Sequence, residues 1–213
     1  MKPFLDVLAG IPTTIALSLL SLVVGAFAAI PILLARRSTS IWFRAPSRIL
    51  IDIVRAVPPI VWLFIVFFGL TETGLRLSSF AAATASLGMI SAAYLAEVYR
   101  GGLIAVDRGQ WEAASAIGTT DRQTLRYVVG PQALRVALPA MATFAIALIK
   151  DTSLAYTIGV HEVLFRANSQ AQVGAASPLL ILVATGGIYA SLSIPTAWGA
   201  RRLEASMRER TAR

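Results

Sequence analysis

One polar segment of this 213-residue chain reads Arg108-Gly109-Gln110-Trp111-Glu112-Ala113-Ala114-Ser115-Ala116-Ile117-Gly118. Pro131 follows Gly118 by thirteen residues, and apolar stretches long enough to cross a lipid bilayer lie on both sides. The flanking stretches indicate an integral membrane protein. The segment itself is too polar to lie in lipid and too well patterned to be a slack connection. We therefore predict a docking surface carried outside the bilayer by a bundle of membrane-spanning helices.

Composition supports a membrane protein and excludes several kinds of site. Hydrophobic residues make up 56% of the chain and charged residues 14%, whereas soluble globular domains are about a quarter charged. Residues 7–35 contain no charge, and this run is too long for the apolar core of a signal peptide, so we expect a retained first span. There is no cysteine and only one histidine, His161, which excludes disulfides, thiolate metal sites and multi-histidine metal centres.

The charge pattern predicts an all-α integral membrane protein with five transmembrane helices, in a single domain over residues 1–213. The expected spans cover about residues 10–35, 50–71, 77–98, 136–159 and 174–199. Only 14 residues separate Arg135 from Lys150, and that is roughly 21 Å of helix, too short to cross the membrane. We therefore expect the fourth helix to continue through residues 150–153 toward Gly159, which places two charges inside the membrane.

Basic residues are distributed unequally between the two sides that five spans create. Fifteen of the 19 fall in segments 36–55, 100–135 and 201–213, all on one side. The other four are Lys2, Arg76, Lys150 and Arg166. The positive-inside rule makes the first side cytoplasmic, with the N-terminus outside and the C-terminus inside. The same bias explains the net charge of +8 without a nucleic-acid partner, because basic segments beside anionic lipids are expected.

Capping signals divide the polar segment 100–135 into two short helices. Asp107 can cap the first, with Gln110 three residues later as in a capping box, and Thr120 with Gln123 offers a second start. Gly118 suits the turn between the helices because glycine readily adopts the left-handed conformation.

The first of these two helices carries small and apolar side chains. Trp111, Ala114 and Ile117 are expected to share part of its surface, and Ala113 and Ala114 are small enough to let the backbone of a partner approach closely. Periodicity alone leaves two interpretations open: the pair docks a partner, or it lies on the membrane surface as an amphipathic hairpin.

The segment resembles the EAA loop of permease subunits in binding-protein-dependent ABC importers. The matching residues are Glu112-Ala113-Ala114, Gly118 and Val128-Val129-Gly130-Pro131. The likeness extends to residues 91–102 before the loop and to residues 131–135 at its exit, and it includes Pro12-Thr13-Thr14. Residues 150–154, Lys-Asp-Thr-Ser-Leu, are similar to a signature typical of the polar amino-acid branch. Together these matches cover nearly the whole chain.

The resemblance implies a methionine-importer-type permease fold of five helices in the bacterial cytoplasmic (inner) membrane. It implies three kinds of partner: two cytoplasmic ATPase subunits, a second permease, identical or different, and an extracytoplasmic solute-binding protein. The first loop helix would be the coupling helix, with ATPase coupling residues Trp111, Glu112, Ala113, Ala114, Ile117, Gly118 and Pro131. The chain has no glycine-rich phosphate-binding loop, so we expect a non-catalytic subunit without a cofactor, with ATP bound by the partner.

Charged residues inside a span usually face a cavity or a partner. Lys150 and Asp151 diverge by about 100° around a helix, so each needs its own partner. A cation with an anion would suit an amino acid, although pairing with neighbouring helices for packing is an equally open alternative. The candidate pathway residues are Lys150, Asp151, Thr152, Ser153, Thr143, Tyr94 and Glu97. For Glu97, a salt bridge to a loop arginine is expected ahead of solute contact.

The chain departs from the polar amino-acid branch at four positions. Asparagine is common where it has Ile90 and Thr143, serine where it has Ala147, and leucine where it has Gly130. These differences make the expected solute pocket less polar. Either the companion permease supplies the polar contacts, or the solute is larger or less polar. An opine or a sulfur-containing amino-acid derivative would be such a solute. A membrane enzyme acting on lipid is disfavoured, because one histidine and scattered acids provide no catalytic cluster.

Overall fold

The structure is a computed structural model that describes residues 2–174 and 177–211, and every regular element in these ranges is helical. The α-helices are α1 (Lys2–Leu8), α2 (Ile11–Arg36), α3 (Ile41–Ala56), α4 (Pro59–Phe64), α5 (Leu70–Glu72), α6 (Ser79–Ile104), α7 (Arg108–Ala116), α8 (Asp121–Thr124), α9 (Gly130–Asp151), α10 (Val163–Gln172) and α11 (Pro178–Thr211). Residues 175 and 176 of the fifth predicted span, and Arg213 of the basic tail, lie outside the described residues.

Four helical segments of the described chain are long and apolar enough to cross a membrane: Phe4–Arg36, Ser79–Ile104, Asp121–Ile158 and Pro178–Arg202. Helix α3 together with residues Pro59–Glu72 makes a fifth crossing if the bent pair counts as one span. The expectation of an all-helical chain with several apolar spans is therefore confirmed.

The second predicted span, residues 50–71, is not one continuous helix. Helix α3 begins earlier than the prediction and ends at Ala56, and the helical segment Pro59–Glu72 is bent from it by 105°. Val57 between them is extended, with φ −88° and ψ 133°. The cause is local, because a proline disfavours the helical region for the residue before it, and Pro58 has no N–H to continue the ladder.

The fourth predicted span continues past its two charges. Helix α9 ends at Asp151, and a 3-10 helix, Thr152–Ile158, carries the chain on to Gly159. Gly159 has φ +84°, the left-handed conformation in which glycine commonly ends a helix. The expected helical continuation is confirmed, with tighter winding in its last two turns.

Helix α6 lies at the centre of the bundle, and small residues let its neighbours approach closely. A Cβ atom added to Gly25 of α2 would lie 2.2 Å from the Cβ of Ser91, so no side chain fits there. A Cβ atom at Gly102 would lie 2.5 Å from the carbonyl oxygen of Ala133 on α9. Close approach at small residues is a common way for membrane helices to associate, because lipid provides little hydrophobic drive.

The bundle has two ends. The end that carries Arg36, Ile104 and the α7–α8 pair is called the loop end, because salt bridges and packing bring these residues together. The end that carries Gly10 and Val163 is called the opposite end. A Cβ atom at Gly10 would lie 2.6 Å from the backbone nitrogen of Val163, so the start of α2 sits directly against α10 there.

Candidate functional site

Helices α7 and α8 form a helical hairpin at the loop end, in which α8 is the first turn of the long helical segment Asp121–Ile158. The Asp107 carboxylate caps α7 by accepting a hydrogen bond from the Gly109 N–H at 2.7 Å. Gly118 forms the turn with φ +80°, as expected for a position that favours glycine. Thr120 and Gln123 form both hydrogen bonds of a capping box at the start of α8. The predicted first helix, the turn at Gly118 and the helix start at Thr120 are confirmed. The prediction that the second helix is short and separate was wrong, because α8 continues through a π-helical turn, Leu125–Val129, into α9.

The capping box expected at Asp107 and Gln110 is not formed, and this prediction was wrong. The side-chain oxygen of Gln110 instead accepts a hydrogen bond from Nε2 of Gln132 at 3.0 Å. Because Gln132 lies on α9, this contact fastens α7 to the next long helix. The pattern of spacing could not reveal it, since the partner is 22 residues away.

One face of α7 packs against the rest of the chain. Trp111 contacts the buried cluster of Val106, Val129 and Ala133. The guanidinium carbon of Arg37, just beyond α2, lies 5.7 Å from the centre of the Trp111 ring. Ala114 is buried, with 4% exposure, so its surface is occupied within this chain. This face therefore fixes the position of α7 on the bundle.

The other face of α7 is open. Glu112 and Ala113 are exposed, and Ile117 is 79% exposed just beyond the last helical residue. The prediction that Ile117 shares a face with Trp111 and Ala114 was wrong, because the helix ends at Ala116. The exposed residues Glu112, Ala113, Ile117 and Gly118 form what we call the coupling surface, with exposed Pro131 at the start of α9.

Glu97 forms an ionic cluster near the loop end. Its carboxylate lies 2.7 Å from Nη2 of Arg100 on the same helix and 3.6 Å from Nε of Arg36 at the end of α2. The expected salt bridge to an arginine of segment 100–135 is confirmed, and the contact with Arg36 was not foreseen. Both partners leave Glu97 engaged within the chain in this conformation.

Tyr94 lies one turn from Glu97 on α6 and joins three helices. Its ring stacks on Phe144 of α9, with centroids 5.1 Å apart and planes at 22°. The guanidinium carbon of Arg55 on α3 lies 4.8 Å from the Tyr94 centroid. An aromatic ring under a guanidinium is a favourable cation–π pair. Tyr94 and Arg55 thus present a partly exposed, basic and aromatic surface between the helices.

Thr143 and Lys150 lie on one exposed face of α9, two helical turns apart. The Thr143 hydroxyl donates to the carbonyl oxygen of Pro139 at 3.1 Å. Lys150 is exposed and Asp151 is half-buried, and neither forms an ion pair within residues 2–174 and 177–211. Packing against charges of neighbouring helices is thus not observed within the described part of this chain.

The two hydroxyl residues after Asp151 are engaged locally. Thr152 is fully buried and donates to the carbonyl oxygen of Ile149 at 2.6 Å. Ser153 donates to the carbonyl oxygen of Lys150 at 2.7 Å. Both hydroxyls therefore support the change from α to 3-10 winding. In this conformation the charges of Lys150 and Asp151 are accessible, while Thr152 is not.

Two polar contacts at the opposite end were missed. Glu162 is fully buried, and its carboxylate accepts hydrogen bonds from the N–H groups of Leu164 at 2.9 Å and Phe165 at 2.7 Å. Burial raises the pKa of the Glu162 carboxyl above its ordinary value. Glutamate is not among the favoured N-cap residues, so the sequence carried no signal for this role.

The second missed contact joins the first helix to α10. Asp6 accepts hydrogen bonds from Nη1 of Arg166 at 3.0 Å and from Nε2 of Gln170 at 2.9 Å. A separation of 160 residues hid this pair in the sequence, although both charges fall on the side with few basic residues.

Comparisons with known proteins identify a family and several relatives of this chain. The family model described as "Binding-protein-dependent transport system inner membrane component" matches residues 21–209. The probable amino-acid ABC transporter permease protein YckA of Bacillus subtilis (strain 168) is 40% identical over 164 residues, covering 77% of this chain and 73% of that protein. The octopine transport system permease protein OccM of Rhizobium meliloti is 36% identical over 171 residues, covering 76% and 70%.

A solved structure extends the comparison to the fold. A chain in the crystal structure of an amino acid ABC transporter with histidines has a TM-score of 0.85 and 27% identity to this chain. The superposition covers 96% of this chain and 94% of that one, so the ABC permease fold is present along nearly the full length. The predicted resemblance to ABC-importer permeases is therefore confirmed, and the chain belongs to the family of binding-protein-dependent transport system inner membrane components.

Proposed function

We propose that this chain is the transmembrane permease subunit of an ATP-driven ABC importer that moves an amino acid or an amino-acid derivative. The observation that carries the proposal is the coupling surface, since a capped helix anchored on one face by Trp111 and Ala114 presents Glu112 and Ile117 outward. A rigid, exposed helix between two long spans can transmit a push from an attached subunit into both of them.

The proposed orientation sets the loop end in the cytoplasm of a bacterium, at its inner membrane. Arg36, Arg37 and Arg100 all lie at this end, beside the α7–α8 hairpin. Basic residues are enriched on the cytoplasmic side of membrane proteins. An ATPase that hydrolyses cytoplasmic ATP would then meet the coupling surface, and α10 would face the extracytoplasmic space where a binding protein delivers solute.

The proposed assembly contains two ATPase subunits, a second permease and a solute-binding protein. The exposed face of α9 supports the second permease, because the described residues of this chain leave Thr143 and Lys150 uncovered there. Two such faces opposite each other would enclose a path that one chain leaves open. ATP would be bound only by the ATPase partners.

The proposed cargo rests on charge and on the relatives. Lys150 and Asp151 offer a cation and an anion that could meet the carboxylate and ammonium of an amino acid. YckA is a probable amino-acid permease, and OccM, an octopine permease, favours an opine as the second candidate. Ile90 is buried, so the replacement of the usual asparagine there affects packing within the bundle. Thr143 is exposed, so the same replacement at position 143 affects the candidate path.

The docking assignment is tested by Ile117→Asp, with Val173→Asp at the opposite end as the matched control. Both side chains are exposed, at 79% and 74%, so neither substitution buries a charge. We expect Ile117→Asp to reduce co-purification of the ATPase and Val173→Asp to leave it unchanged, at equal membrane amounts. Equal ATPase recovery with both variants would contradict the assignment.

Sidedness is tested separately, and the absence of cysteine makes the chain suitable for single-cysteine labelling. The variant Ile117→Cys should be protected from an impermeant maleimide in intact cells and labelled in inverted vesicles. The variant Val173→Cys should show the reverse. Labelling of position 117 from outside intact cells would reject the orientation.

A further inference from the structure

Two cavities meet at the loop end of α2. One is an apolar groove of about 430 Å³ between α2, α6 and α9, with Leu33, Leu103 and Leu134 among its walls. The other is a pocket of about 500 Å³ between the end of α2 and the α7–α8 hairpin, and three charged side chains are among its walls. Leu34, Arg37 and Leu125 line both, so the two spaces adjoin. The combined space has an apolar arm and a charged head.

The head is lined by ionisable side chains of both signs. Arg37 and Arg122 face it together with the carboxylate of Asp121, which leaves one net positive charge. Neither arginine forms an ion pair in the described residues. Trp111 closes one side of this cavity and stacks near Arg37. Guanidinium groups bind phosphate oxygens through paired hydrogen bonds, so an anionic phosphate suits this cavity.

We propose that an anionic phospholipid occupies this space, with its phosphate between Arg37 and Arg122 and one acyl chain along the apolar groove. The groove opens toward the membrane, because Leu34 on its rim is 57% exposed. Basic pockets between helices at the cytoplasmic surface are known to hold anionic headgroups. The leaflet follows from the orientation proposed above, whereas the binding itself does not depend on it.

The site reaches the element that carries the coupling surface. Arg37 stands just after α2, and Trp111 lies on α7, so a lipid held by Arg37 contacts both. The phosphate would add a bridge between the first span and the hairpin, which are otherwise joined there by the Arg37–Trp111 contact. Anionic lipid should therefore support the position of α7 on the bundle.

The test measures lipid retained by the purified full-length chain in native mass spectrometry, with phosphatidylglycerol and zwitterionic phosphatidylcholine as probes. We expect the native chain to retain phosphatidylglycerol preferentially and the double variant R37Q/R122Q to retain about tenfold less, as for lost charged hydrogen bonds. The control is R126Q, since Arg126 belongs to the same segment and lies against Tyr127 instead. We expect its retention to be native.

A second pair of variants tests the apolar groove proposed to hold the acyl chain and controls for loss of lipid through misfolding. Leu34→Trp fills the junction of the two cavities, and Leu19→Trp alters a residue of the same helix with the same 57% exposure. Only the first should lose phosphatidylglycerol. Equal retention of the two lipids, an effect of R126Q as large as that of the pair, or full displacement by glycerol phosphate would each overturn the proposal. Native-level retention of phosphatidylglycerol by R37Q/R122Q would overturn it too.

Discussion

Glu162 accepts a hydrogen bond from the hydroxyl group of Tyr189, which joins the start of α10 to α11. The Thr14 hydroxyl oxygen on α2 accepts a hydrogen bond from the adjacent Val163 N–H at 3.3 Å. Three helices therefore meet around one buried carboxylate at the opposite end. Buried polar groups are costly when they lose a partner, so this cluster should contribute strongly to stability.

The first prediction concerns this cluster. Glu162→Ala leaves the N–H groups of Leu164 and Phe165 without their acceptor and should lower the free energy of unfolding by about 2 kcal/mol. Tyr189→Phe removes one donor and should cost about 1 kcal/mol. Thermal unfolding of the purified protein in detergent measures both. Ser191→Ala is the control, since its exposed hydroxyl donates only to the carbonyl of Ile188, and a native-like Glu162→Ala would contradict the prediction.

The second prediction concerns pH. Burial raises the pKa of Glu162, so the folded state holds this proton more tightly than the unfolded chain does. The resulting stabilisation is present below the ordinary carboxyl pKa and is lost as pH rises through the raised value. The Tm advantage of the native protein over Glu162→Gln should therefore shrink as the pH rises from the ordinary carboxyl range, at about pH 4, through the raised pKa. A constant difference over that range would show that the carboxyl does not titrate as inferred.

The third prediction compares two adjacent glycines of α6. A Cβ atom at Gly102 meets the Ala133 carbonyl oxygen at 2.5 Å, whereas one at Gly101 meets nothing within 4 Å. Gly102→Ala should push α9 away and destabilise the protein by about 1–3 kcal/mol. Gly101→Ala should be neutral or stabilise it by up to about 1 kcal/mol, because alanine favours helix. Similar unfolding temperatures for the two variants would refute the close-approach interpretation.

The fourth prediction concerns the candidate path. If Asp151 lines the route, Asp151→Ala should reduce solute uptake by about tenfold, as expected for a lost charged contact, while assembly with the ATPase stays normal. Uptake into proteoliposomes with the cognate binding protein measures the first, and co-purification the second. Ser191→Ala is the control, since its exposed hydroxyl donates only to the carbonyl of Ile188 and it is not a candidate pathway residue. Normal uptake by Asp151→Ala would remove the residue from the path.

The sequence-based predictions that succeeded depended on signals between residues close together in the chain. Gly118 and the Thr120–Gln123 box depend on neighbouring residues alone, and both were predicted correctly. Gln110 was assigned to the wrong partner because Gln132 reaches it only after the helices pack. Ile117 was placed on the wrong face, since one residue decides whether the helix continues.

The break in the second span shows a further limit. The two prolines after Val57 indicate a helix boundary, but the 105° angle depends on how both pieces pack against α6. The contacts of Glu162 and Asp6 connect residues far apart in sequence, so spacing could not show them. The role of Lys150 and Asp151 stays a prediction, because their charges would meet groups that belong to other molecules.

Helix α11 has a consequence for how a subunit can approach. Its 34 residues make a rod of about 51 Å, against a hydrocarbon core of about 30 Å. It starts beside α10, where Ile181 packs against Val7 and Val163, so a straight helix of this length would extend beyond the hydrocarbon core on the side of the loop end. An ATPase that docked at Glu112 and Ile117, as proposed above, would then have to clear the end of α11, which would restrict the directions from which it could approach.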